Sequence, residues 1–202
     1  MQGSDAGTWA IHGLVNRSIQ TFLRETYGGD LWQKVAAQAG VPAHGFEAML
    51  TYPDEMTESV LSCAAGELDK PLAVLLEDFG THLASVEALR RLLRFSGAEY
   101  ADFIEAIEEL PGRAQLAVPE IDLPVLDLQS DAPGCYSLTA SGLRSGFAPV
   151  LAGVLRAMAD DYGALALIDG PVSAGDHATI RIELLDTRFA EGRDFQLAMP
   201  KS

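Results

Sequence analysis

Between Phe103 and Pro124 the apolar period of the chain changes, and this change limits the folds open to it. Phe103, Ile107 and Leu110 recur at helical spacing on one face, while Glu105, Glu108 and Glu109 point elsewhere. Pro111 removes a backbone donor and clashes with the preceding turn, so the helix is expected to stop or kink there. Pro119 and Pro124 then punctuate the lead into a first strand. Upstream the pattern is helical, and downstream it alternates like strands around one helix. The segment is therefore a joint between two layers, and such joints are natural places for a pocket.

The upstream part divides into helices by its punctuation. Leu14, Val15, Ile19, Phe22 and Leu23 share a face that ends at Gly28-Gly29. Asp30 is a cap for a short second helix that stops at Gly40. The stretch from Val41 to Tyr52 reads as a loop, with a helical turn through Phe46 and Leu50. Pro53-Asp54-Glu55 and Asp69-Lys70-Pro71 open two further helices. Another is expected from Glu87 to Phe95 with Leu89, Leu92 and Leu93 inward, then one from Tyr100 to Leu110.

Downstream, Val125 to Leu128 and Tyr136 to Thr139 form a hairpin across a turn at residues 130–134. A strong helix runs from Phe147 to Tyr162 and ends at Gly163, followed by strands at Ala164 to Ile168 and Thr179 to Leu185. The expected fold is α+β, an N-terminal helical layer followed by a small antiparallel sheet crossed by a long helix. Residues 1–11 read as a leader, 12–110 as a helical subdomain, 111–189 as a sheet-containing subdomain of the same domain, and 190–202 as a tail.

Composition narrows the function. The 202 residues carry a formal net charge of −15, which disfavours phosphate backbones and anionic membranes and favours small-molecule or protein partners. No apolar run approaches the roughly 18 residues of a membrane span, and the first ten residues lack the pattern of a signal peptide. Cys63 and Cys135 make no disulfide framework, so a reducing, cytoplasmic setting is expected. The sequence has no Gly-x-Ser-x-Gly nucleophile motif and no phosphate-binding loop, and it is read as non-enzymatic.

The order of elements and several short matches resemble the haem-nitric oxide/oxygen binding (H-NOX) family. These are His12-Gly13-Leu14-Val15-Asn16, Tyr52-Pro53-Asp54-Glu55, a helix ending in Phe79-Gly80, Pro119 and Pro124 before the sheet, and Gly146-Phe147 with Gly153 around the long helix. The resemblance implies a haem b site between the two layers. It also implies an axial histidine at the end of the helix before the sheet, and a Tyr-x-Ser-x-Arg motif on the propionates. Gas binding would shift the two layers and signal to a histidine kinase or a cyclic-dinucleotide enzyme.

The departures bear on the cofactor. Ungapped placement of Phe103 and Pro124 puts Pro111 at the ligand histidine, where proline offers iron no lone pair. Placement of Gly146, Phe147 and Gly153 puts Ala140, Gly142 and Arg144 at the propionate motif. Expected to line a cavity at the joint are Leu110, Pro111, Pro124, Val125, Phe147, Val150 and Leu151. Three occupants follow: another apolar ligand, a protein partner on a collapsed cavity, or haem held by an unusual ligand. For the last, His82 is the candidate; its plainer reading is a half-exposed helix histidine. His12 is read at the first helix start, His44 and His177 in surface loops, Arg113 towards solvent, and Asp160-Asp161 on a solvated face.

Overall fold

The computed structural model describes residues 10–142 and 146–185. Expectations for Arg144 and the segments 1–9 and 190–202 lie outside the described residues. The architecture is mixed α+β, as the change of period predicts.

The helical part comprises α1 (Gly13–Tyr27), α2 (Gly29–Gln38), α3 (Asp54–Glu67) and α4 (Leu72–Ser85). Apolar residues at helical spacing close a first core around Phe22, Leu23, Trp32, Val35, Val60, Leu75 and Phe79. His12 caps α1, its Nδ1 accepting from the Leu14 amide at 3.2 Å. Strands β1 (Ala10–His12) and β2 (Thr51–Pro53) pair antiparallel beside it. Two residues read as leader, Ala10 and Ile11, are thus part of a ribbon. The helical turn expected at Phe46 to Leu50 is a loop, and α2 starts from Gly28 rather than from an Asp30 cap.

The sheet has the order β3 (Val125–Ala132), β4 (Cys135–Ser141), β7 (His177–Leu184), β5 (Ala166–Ile168), with β6 (Val172–Ala174) also on β7. Every pairing is antiparallel. Registers Leu126↔Ala140, Leu138↔Ile180 and Tyr136↔Ile182 put the apolar residues on one face, and a slip of one residue would expose them all. The hairpin turn is tighter than expected, and a bulge lies between Ser130 and Ala132. His177 begins β7 rather than lying in a loop.

Helix α8 (Phe147–Tyr162) covers that face with Leu151, Ala152, Leu155, Met158 and Ala159, its ends set by left-handed Gly146 and Gly163. Each Leu or Met so buried contributes roughly 1.5–3 kcal/mol. The cores divide at α4 rather than at residue 110, because Ala84, Tyr100, Phe103, Ile104 and Ile107 belong with the sheet.

Helix α4 does not end at Phe79-Gly80 but runs on to Ser85. Gly80 has a packing role instead. A Cβ there would strike the Val150 carbonyl, and a Cβ on Gly153 would strike the Glu77 carbonyl and come within 3.0 Å of the Thr81 amide nitrogen. The helices α4 and α8 cross backbone to backbone, and Arg156 of α8 pairs with Glu77 of α4.

Helix α5 (Glu87–Arg94) fully buries none of its residues: Leu89 is exposed, while Leu92 and Leu93 are half-buried and Leu93 packs against the sheet-side core. Arginines hold it as well. Arg90 and Arg94 both reach Asp161, at 2.6 and 3.2 Å, and Arg94 lies 3.9 Å over the Tyr162 ring. Asp161 is consequently part of an ion cluster, not of a solvated face.

Candidate functional site

The joint is built from a helix that changes form twice. A capping box of Glu99 and Asp102 starts α6 (Tyr100–Glu105), a 3-10 turn follows at Ile107–Glu109, and α7 (Leu110–Ala117) continues beyond it. Pro111 therefore opens a helix instead of closing one. In the first turn its missing N–H costs no hydrogen bond, and its fixed φ suits helix. Arg113 turns back along α7 to pair with Glu109 and donates to Ser96 Oγ at 2.9 Å, so it is half-buried rather than free in solvent.

Carboxylates fasten this segment to the sheet. Glu108 accepts the Leu128 amide at 2.7 Å, and Glu105 accepts the Tyr136 hydroxyl at 3.4 Å. Desolvation, with Glu105 nearby, raises the Tyr136 pKa. Deeper in, the Tyr100 hydroxyl donates to the Leu155 carbonyl at 2.9 Å, and burial pushes its pKa well up.

The residues singled out from sequence do not converge on a hollow. Pro111 is half-buried and Pro124 buried. Ala140 is 1% exposed, inside the continuous cluster of Ile107, Leu126, Leu138 and Leu151 against which Leu110 and Phe147 pack. Val125 faces outward at 71% exposure, and Val150 packs with the helical core. Gly142 ends the β4 hairpin arm with φ 70° and open space around it. His82 lies elsewhere, on α4 facing α1. Its ring is 5.4 Å from Phe22, and its Nε2 is 3.8 Å from a Glu25 carboxylate oxygen.

Two concavities stand out among the described residues, and neither is lined by Pro111, Ala140 or Phe147. One, of about 380 Å³, lies on the outer sheet face around Ser137, Leu167 and Arg181. The other, of about 460 Å³, is lined by Arg17, Gln20, Thr21, Arg24, Glu25 and Gly29, with His44 from the loop before β2. Sequence reading missed this second group. Its signal was available, since Arg17, Gln20, Thr21 and Arg24 fall at i, i+3, i+4 and i+7 on one helix face. Among the described residues no group of three or more His, Cys, Asp or Glu could hold a metal ion, and no helix is long and apolar enough to cross a membrane.

Comparison with known proteins bears on the family. The chain is 21% identical over 156 residues to soluble guanylate cyclase 89Db of Drosophila melanogaster, covering 75% of this chain and 23% of that protein. Soluble guanylate cyclase gcy-31 of Caenorhabditis elegans is 21% identical over 150 residues, 72% of this chain and 21% of that protein. The chain thus spans less than a quarter of the length of these two relatives. Among solved structures, the Fe(II) unliganded H-NOX protein of K. algicida superimposes with a TM-score of 0.75 at 15% identity, covering 92% of this chain and all of that one. The S. oneidensis H-NOX protein in its Fe(II)NO state gives 0.72 at 17% identity, covering 86% and 99%. The family model for haem-NO-binding domains matches residues 12–167, and with the fold and the element order in agreement, the chain belongs to the haem-NO-binding, or H-NOX, family of sensor domains.

Proposed function

We propose that this H-NOX domain works as a protein-interaction module of a signalling system and does not hold haem through an axial histidine. The observation that carries this reading is the filled joint. Ile107, Leu126, Leu138, Ala140 and Leu151 belong to one buried cluster where the two layers meet the α6–α7 segment. The donor set agrees. The Pro111 nitrogen is committed to a peptide bond, and its neighbours Leu110 and Gly112 have no side-chain donor for iron. Ala140 and Gly142 offer no hydroxyl to a propionate. Histidine-ligated haem does not fit these residues. His82 is a poor substitute, because its ring is engaged with Phe22 and Glu25 on the helical side.

The partner class follows from the relatives, which are named as guanylate cyclases of which this chain matches only a part. The module would act on a nucleotide cyclase, histidine kinase or cyclic-dinucleotide enzyme, within a longer chain or in trans. Haem titration of the purified protein tests the cofactor half. The expected result is a weak, non-stoichiometric increase in absorbance. A tight one-to-one complex with the Soret band of a histidine-ligated haem would overturn the reading.

A further inference from the structure

The cavity on α1 carries two arginines, Arg17 and Arg24, against one carboxylate residue, Glu25, in a protein whose overall balance is acidic. The chain carries 29 acidic residues against 14 lysines and arginines. Most described arginines use that excess: Arg90, Arg91, Arg94, Arg113 and Arg156 all sit in ion pairs. Arg24 does not. Its side chain has no hydrogen-bond or ion-pair partner among the described residues, although Glu25 is next to it, because Glu25 faces His82 at 3.8 Å. Arg17 makes only a long 3.5 Å contact with the Phe46 carbonyl. Arg17 and Arg24 border the same 460 Å³ cavity, with Thr21 between them on the helix face and His44 in the lining from the loop.

The wall opposite α1 is held in place. Gln20 is 93% buried by its 7% exposure, donates to the His44 carbonyl at 3.2 Å and accepts the Phe46 amide at 3.0 Å. Trp32 Nε1 donates to the Ala43 carbonyl at 3.0 Å. Gly45 lies so close over Gln20 that a Cβ there would overlap its amide. The loop carrying His44 is therefore braced from two helices, and the cavity is formed before any ligand arrives, which lowers the ordering cost of binding.

We infer that this cavity binds a small phosphorylated metabolite. Guanidinium groups pair bidentately with phosphate oxygens. Arg17 and Arg24 are two helical turns apart, about 10 Å along the axis, which suits a ligand anionic at more than one point. The volume is that of a small-molecule site. No Phe, Tyr or Trp lines the cavity, and the hydroxyl of Thr21 suits a polyol portion of the ligand.

Isothermal titration of the full chain with inorganic pyrophosphate tests the assignment. The expected result is saturable one-to-one binding, with amide NMR shifts centred on Thr21, Gly29 and His44. Removing both charges in an Arg17→Gln, Arg24→Gln variant should weaken binding by at least about tenfold, while Arg91→Gln on α5 should leave it unchanged. Both substituted arginines are exposed, and an unchanged urea midpoint would verify that the variant is folded. Absence of saturable binding at about 10 mM pyrophosphate, which corresponds to less than about 3 kcal/mol, would overturn the proposal. Equal weakening by Arg91→Gln would do so too, as would shifts centred away from the cavity.

Discussion

Replacing Gly153 by alanine should reverse the sign of a normally favourable substitution. In an open helix interior, Gly→Ala gains about 1 kcal/mol of helix propensity. Here the added methyl meets the Glu77 carbonyl and the Thr81 amide of α4, which are backbone and cannot swing aside. Overpacking costs about 1–3 kcal/mol, and rigid backbone argues for the upper half of that range. The net expectation is a loss of about 1–2 kcal/mol, or about 2–8 °C in Tm for a chain of this size. Gly112, in α7, has nothing within 4 Å of its would-be Cβ, so Gly112→Ala should gain roughly 0.5–1 kcal/mol. Urea unfolding of both variants, compared at equal m values, measures the contrast. Gly80→Ala combined with Gly153→Ala should be non-additive, since either methyl already forces the helices apart. A Gly153→Ala protein as stable as the parent would refute the close crossing of α4 and α8.

Three further outcomes are expected. The Tyr100 pKa is raised on folding, so its contribution to stability is complete below the unfolded value of 10.0 and is lost as pH rises towards the folded one; the unfolding free energy from urea titrations should fall above about pH 10 by up to about 1.4 kcal/mol per pH unit, and Tyr100→Phe should flatten that slope. Asp161→Asn removes the anion shared by Arg90 and Arg94, so amide exchange in α5 should accelerate while α8 stays protected; equal protection of α5 would count against the ion cluster as its anchor. Pro111→His supplies an imidazole at the start of α7, and haem titration should show it gaining affinity only if the packed cluster opens; unchanged affinity would mean that the joint stays closed.

Sequence periodicity located the long helix from Phe147 to Tyr162 to the residue, because its ends are glycines that only a left-handed turn requires. It also placed the hairpin and β7, whose alternation survives in the buried face. Gly80 was visible but misread, since a glycine read as a terminator looks the same as one that admits another backbone; Gly153 was placed in the long helix, but its close approach to α4 leaves no mark in the sequence. Pro111 failed for a related reason. Proline is excluded from helix interiors and favoured in first turns, and only the break at Ala106 tells which applies. Strands β1 and β2 are three residues each, paired across some forty positions, and leave no local pattern. The filled joint depends on which side chains meet across elements, which spacing alone does not encode. The α1 cavity needed the loop at His44 to be folded back on the helix.

Strand β3 ends the strand order of the sheet among the described residues, and its residues past Leu128 are exposed. Such a margin invites a second molecule to add on by main-chain hydrogen bonds. The bulge at Ser130 to Ala132 twists that margin, and Asp127 and Asp131 place negative charge along it. The domain can therefore keep its sheet from growing into that of another copy, and neutralising both aspartates should favour edge-to-edge association.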